Sequence, residues 1–352
     1  MEFQPDYRHV LEVMANRRPA RLPLYEHAIN VPSMENILGR PFGALAGGDA
    51  ADRKRFFEHY SDFFRQMGYD VVSFEVCVCG ILPGGGALVG ERPGVIQTRA
   101  DFEKYPWAEL PRLFRERAYP QFDLFHATLP AGMKGVGGVG NGIFEISEDL
   151  VGFQHLCYMQ ADDPELFAAL YQRIADTLLI LWTDFLKHYA DDYAVCRIGD
   201  DLGYKTGTLL APGTVKQHVI PHYRRLIAAI HAAGKPYLQH SCGCIFEVME
   251  DWIAAGINGK HSNEDEIAPF DEWIRRYGDR IALFGGIDTD RLCRMKPDDL
   301  RAFVIEEGTR FRRLARGFAL GSGNSIPAYV PPTGYLAMVE AVREIRRREG
   351  TR

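Results

Sequence analysis

No stretch of the sequence stays apolar for the roughly 20 residues that a membrane-crossing helix needs. The opening Met1-Glu2-Phe3-Gln4-Pro5-Asp6 lacks the charged and apolar regions of a signal peptide. These absences give the expectation of a cytoplasmic chain. An excess of positive charge is missing too: 41 lysines and arginines stand against 47 aspartates and glutamates, a net charge of −6. Nothing in that balance points to nucleic acid or to an anionic membrane. Arg346-Arg347-Arg348 reads as a solvated helix face that suits the helix dipole. Cysteine is scarce, 7 in 352 residues, which excludes a disulfide framework. Cys157, Cys196 and Cys293 lie in apolar or helical settings and read as structural. Nucleotide fingerprints are lacking as well. Gly84-Gly85-Gly86 is followed by no helix start and no Lys-Ser/Thr, so it reads as a loop. No G-x-G-x-x-G follows the first strand, which argues against a dinucleotide fold.

What is present is a regular alternation. Short apolar runs read as strands at Arg21–His27, Tyr69–Val78, Lys134–Val139, Ala194–Gly199, Pro236–Gln239, Ile257–His261, Arg280–Gly285 and Gly317–Gly321. Helical patterns separate nearly all of them. Gly68 is a C-terminal stop, Asp163-Pro164 opens a long helix to about Tyr189, and Thr214 with Gln217 makes a capping box for a helix running to Ala233. Such alternation gives a parallel sheet with right-handed crossovers. About eight units in 352 residues predict one α/β domain over residues 1–352, a (β/α)8 barrel, with an open doubly wound sheet as runner-up.

In a barrel the chemistry sits at the C-terminal strand ends. Those ends hold Glu26-His27, Glu75 with Cys77, Asn141, Asp200-Asp201, His240 with Cys242, His261 with Asn263, Asp288, and Ser322 with Asn324. The stretch Gln239-His240-Ser241-Cys242-Gly243 is the centre of this set. Strand alternation puts His240 and Cys242 on one side, and imidazole and thiolate are preferred zinc ligands. A packed histidine beside a buried cysteine is the plain alternative. Glu75, on an apolar strand, is desolvated unless it meets a cation or a metal. Asp200, Asp201 and Asp288 can equally be loop or helix caps.

Gly199-Asp200-Asp201-Leu202-Gly203, Leu209-Leu210-Ala211-Pro212, His240-Ser241-Cys242-Gly243, Phe284-Gly285-Gly286-Ile287-Asp288-Thr289 and Ile326-Pro327-Ala328-Tyr329-Val330-Pro331-Pro332 resemble the uroporphyrinogen decarboxylase superfamily. The likeness is specific over Ala194–Ile345 and weak before it. It implies a (β/α)8 barrel and one of two activities, porphyrinogen decarboxylation or zinc-dependent methyl transfer with a corrinoid. The decarboxylases carry an arginine-rich N-terminal signature that grips carboxylates. The corresponding Leu22–Ile29 has no arginine pair and carries Glu26, which would repel a polycarboxylate.

The methyltransferase branch uses a His-x-Cys pair and a distant cysteine as zinc ligands. His240 and Cys242 match the pair, but Ser322-Gly323-Asn324 stands where the distant cysteine belongs. Substitutes for it are Glu75, then Cys77, or Asn324 through its carbonyl oxygen. The resemblance thus implies zinc-assisted exchange of a methyl group between a small molecule and a corrinoid, the corrinoid arriving on a separate protein. Glu75 would complete the metal site or shuttle a proton, and Asp200 and Asp201 would orient the substrate. A homodimer is compatible with this reading. A lyase acting on a non-porphyrin acid and a non-catalytic binding barrel are the alternatives.

Overall fold

Seven parallel strands follow one another in chain order around a single curved sheet in the computed structural model, which describes residues 3–90 and 92–351. They are β1 (Val71–Cys77), β2 (Lys134–Gly140), β3 (Tyr193–Gly199), β4 (Tyr237–His240), β5 (Gly259–His261), β6 (Ala282–Ile287) and β7 (Phe318–Ser322). Each is hydrogen-bonded to the next in parallel register. The expected strand positions hold to within about two residues. Strands buried on both faces read as continuous apolar runs, which is why they were legible.

The eighth strand is where expectation and structure part. Around Leu22–Ile29 the chain makes only isolated bridges, Leu24 to Leu320 and Ile29 to Ile326. Among the described residues no backbone pairing joins this stave to β1. The carbonyls that would pair there are taken by side chains. Arg346 Nε donates to Leu22 O at 2.8 Å, and Ser73 Oγ donates to Glu26 O. The sheet is therefore a seven-stranded, barrel-like one rather than the closed eight-stranded barrel expected. Arg346, only 2% exposed, also donates to Gly68 O. It is a buried staple, not part of a solvated face. Arg347 and Arg348 do face outward, each paired with Glu344.

Helix ends follow local chemistry. The helix Ala50–Met67 stops at Gly68, whose φ of +90° is left-handed. Asp163 caps Pro164–Tyr189 by accepting from Leu166 N–H. The capping box at Thr214 does not form. The chain enters that helix earlier, at Pro212, and Thr214 Oγ1 instead accepts from Gln160 Nε2 at 2.7 Å. The helix then breaks between His218 and Ile220, since Pro221 has no N–H to give. All seven cysteines are free thiols; Cys196 is buried in β3, whereas Cys157 is exposed.

Alternation along the strands divides the interior into two layers. Val71, Val195, Leu238, Phe284 and Ala319 fill one end with Val10 and Val13 of the helix Arg8–Met14. Two residues further along, the same faces carry Ser73 and then Glu75 on β1, Arg197 on β3 and His240 on β4. The apolar plug closes the N-terminal end, and the polar residues gather at the other.

Candidate functional site

Two loops meet at the C-terminal end because glycine lets their backbones touch. Gly243, with φ +79°, lies so close to Gly203 that a Cβ on it would stand 2.1 Å from the Gly203 carbonyl carbon. Gly203 N–H donates to Cys242 O at 3.1 Å, and Leu202 N–H to Ser241 Oγ at 3.1 Å. Asp201 Oδ1 accepts from Cys242 N–H at 2.8 Å. The loops after β3 and β4 are thus locked, and the lock brings Asp201 to the pair on β4.

His240 and Cys242 do share one side: Cys242 Sγ lies 3.5 Å from His240 Nε2. Asp201 Oδ1 is 3.6 Å from the same nitrogen. The tautomer of His240 follows from its neighbours. His261 Nε2 lies 3.1 Å from Ser322 O, a pure acceptor, so that nitrogen carries the proton. Burial holds His261 down at about 3, and it holds His240 well below the usual histidine range, so both rings are neutral. His261 Nδ1 is then an acceptor and takes the Nδ1 proton of His240 at 2.8 Å. The lone pair of His240 is left on Nε2, facing a carboxylate and a sulfur. Burial and the neighbouring Asp201 push the Cys242 thiol up.

The ligand atoms of Asp201, His240 and Cys242 lie within 4.8 Å of one another. An imidazole nitrogen lone pair, a carboxyl group and a thiol lie together here. Such a donor set is relieved by a divalent cation and fits zinc. His27, His240 and His261 form a second group at that spacing. There the His27 and His240 rings stack, 3.6 Å apart and 16° from parallel. Stacked rings aim their in-plane lone pairs alongside one another, not at one point, and the inner nitrogens of His240 and His261 are already hydrogen-bonded.

The residue that shares the cluster with His240 and Cys242 is Asp201, and neither Glu75 nor Cys77 belongs to these groups. Glu75 does meet a cation, Arg197, with Oε2 2.8 Å from the guanidinium. Arg197 is 1% exposed. Burial disfavours its charge, but the adjacent Glu75 outweighs this and raises it. It also donates to Tyr25 Oη at 3.1 Å and to His27 O at 2.7 Å. An arginine inside the apolar run Ala194–Gly199 was the sequence signal for a buried acid partner. Cys77, exposed at the end of β1, lines a cleft beside Glu75.

Asn324 points its amide nitrogen, not its carbonyl, at the sulfur: Nδ2 lies 3.4 Å from Cys242 Sγ and 2.9 Å from Glu264 Oε1. It acts on Cys242 as a donor, contrary to the expected carbonyl ligand. Asp200, expected to orient a substrate, has its carboxyl oxygens engaged by backbone N–H groups and a tyrosine. It is fully buried and accepts from Glu145 N–H at 2.9 Å, Phe144 N–H at 3.2 Å and Tyr223 Oη at 2.7 Å. It caps the helix Ile143–Val151, whose own N-cap is Gly142. Burial raises it to about 7. Asp288 is an N-cap as well, accepting from Asp290 N–H. Glu145, overlooked in the sequence, accepts from Asp201 N–H at 3.3 Å and from Asn141 Nδ2 at 2.7 Å. Glu26 does not face the cleft. Its carboxyl is buried against Ser322 and raised by burial to about 8, so it repels no anion near neutral pH.

A search among curated proteins finds no sequence match. Solved structures do match. A methyltransferase from Methanosarcina mazei superposes with a TM-score of 0.70 at 15% identity, covering 97% of this chain and 99% of that one. A B12-independent methionine synthase from Shewanella sp. W3-18-1, in complex with selenomethionine, gives 0.51 at 13% identity over 85% of this chain and 89% of that one. At these identities the likeness is one of fold. The sequence model described as Uroporphyrinogen decarboxylase (URO-D) matches residues 64–345, which takes in β1 to β7, Glu75, Asp201, His240 and Cys242. The chain belongs to the uroporphyrinogen decarboxylase (URO-D) family.

Proposed function

We propose that this member of the family is a zinc-assisted methyltransferase, not a porphyrinogen decarboxylase, and that it exchanges a methyl group between a small molecule and a corrinoid carried by a separate protein. The observation that carries the reading is the fixed tautomer of His240, which turns an Nε2 lone pair onto Cys242 Sγ and Asp201 Oδ1. Cys242, His240 and Asp201 would hold the metal. When bound, zinc lowers the pKa of a substrate thiol or hydroxyl, so that the anion is available as nucleophile near neutral pH.

The chain's own residues do the rest. His261 and Ser322 O hold the His240 ring and its proton in place. Asn324 Nδ2 donates toward the sulfur and favours its ionised form. Asp201 keeps capacity for a metal while accepting from Cys242 N–H, since a carboxylate has about four lone-pair sites. The fold shared with the Methanosarcina methyltransferase supports the reaction class. The other structural relative is titled B12-independent, so the corrinoid rests on the sequence resemblance and has its own arm in the test. Purified protein is assayed with methylcobalamin and a panel of thiol and phenol acceptors, and in reverse with cob(I)alamin and their methylated products. Methyl transfer that is lost in Cys242→Ala supports the reading. Turnover of uroporphyrinogen, or carbon dioxide release from another acid without corrinoid, replaces it with a decarboxylase.

A further inference from the structure

The unpaired seam between the Leu22–Ile29 stave and β1 opens into a cleft of about 790 Å³. Its walls are one face of the helix Ala50–Met67, with Phe56, Phe57 and Tyr60, and one face of the helix Leu110–Thr128, with Pro120 and Leu124. At its inner end stand His27, Glu75 and Arg197. The charges that line it are unevenly matched. Glu75 is paired with Arg197, and Glu116 is paired with Arg112 outside the lining. Arg53 and Arg117, both exposed at the rim, have no ion-pair partner within 4.0 Å among the described residues. A chain of net charge −6 thus presents a cleft with aromatic and apolar walls and two unmatched guanidiniums at its mouth. The inner end adds a second signal: His27 Nδ1 is buried with no hydrogen-bond partner among the described residues. The His27 ring stacks directly on His240.

We propose that this cleft binds a small aromatic carboxylate, with the carboxylate at Arg53 and Arg117, the ring between the helix faces, and a polar substituent toward His27. Guanidinium groups recognise carboxylates through paired N–H donors, and the aromatic walls take a flat apolar body. The cleft then supplies the small molecule for the methyl transfer proposed above and rests on that reading only for the chemistry, not for the binding.

Binding is measured by calorimetry on the full-length chain with benzoate, 4-methoxybenzoate and phenylacetate, and with uncharged methoxybenzene. At least one acid is expected to bind saturably, ten-fold or more tighter than methoxybenzene. The Arg53→Ala, Arg117→Ala double variant is expected to lose that preference while keeping its melting temperature. His27→Ala should weaken 4-methoxybenzoate more than benzoate. If none of the three acids binds, or if the double variant binds them unchanged, the proposal is overturned. It is overturned equally if sedimentation shows that the wild-type chain self-associates through this face and the Phe56→Ala variant does not. A chain that binds the acids but takes up no zinc keeps the cleft and loses the reaction.

Discussion

At the scale of single residues, burial decides which groups carry charge. Glu26 is fully buried, and its two oxygens face Ser322 N–H and Oγ. Its folded pKa of about 8 lies well above the roughly 4.3 of an exposed glutamate. Between those values the folded chain binds a proton that the unfolded chain has lost. Stability from this group is therefore full below about pH 4.3 and declines as pH rises toward 8. Glu26→Gln keeps the contacts and removes the titration. Thermal or urea unfolding should show a pH 7 to 9 decline about 1 kcal/mol shallower in the variant than in the parent. An unchanged decline would mean that Glu26 is ionised in the fold. His240 and Cys242 were legible because strand alternation fixes which residues share a side. Asp201 as the third member of the cluster was not, because it comes from a different loop and its approach depends on a backbone contact at Gly203 and Gly243 that no periodicity reveals.

At the scale of elements, the site is a product of two loops held together. Replacing Gly243 by Ala forces a left-handed conformation on a residue with a Cβ and drives that Cβ into the Gly203 backbone. The loops after β3 and β4 must then separate. The expected outcome is a loss of about 2 kcal/mol or more of stability, with zinc affinity down at least about tenfold as Asp201 leaves the pair. The first is read by denaturant titration and the second by competition with a chromophoric chelator. Full zinc affinity in the variant would show that the loop contact does not build the site. The strands themselves were readable from their apolar runs. The helix at Pro212 was misplaced because Thr214 and Gln217 imitate a capping box, whereas Pro212 and Pro221 set the actual ends.

At the scale of the whole molecule, the seam is the distinguishing feature. Seven strands pair by backbone; the eighth stave bridges by backbone only toward β7, and on its β1 side it is held by side chains, with Arg197 reaching Tyr25, His27 and Glu75 at once. Arg197→Met leaves the half-buried Glu75 without its partner and should cost about 2–3 kcal/mol, less than for a fully buried pair. Adding Glu75→Leu should recover most of that loss, and a double variant as unstable as the single one would show that Arg197 acts through the stave alone. A closed barrel was the expectation because eight strand-like runs were counted; side-chain capture of Leu22 O and Glu26 O cannot be seen in such a count. The proposed zinc, by contrast, is not needed to hold the sheet, whose apolar layers close through side-chain packing. Zinc content after purification without chelator tests the central claim most directly, measured on the parent chain, Glu75→Gln, Asp201→Ala and His240→Ala, Cys242→Ala. One zinc per chain is expected in the parent and in Glu75→Gln, a weakly held fraction in Asp201→Ala, and none in the double variant, all with the circular dichroism of the parent. A parent chain that takes up no zinc on dialysis against micromolar metal, or a double variant that keeps a full equivalent, would contradict it.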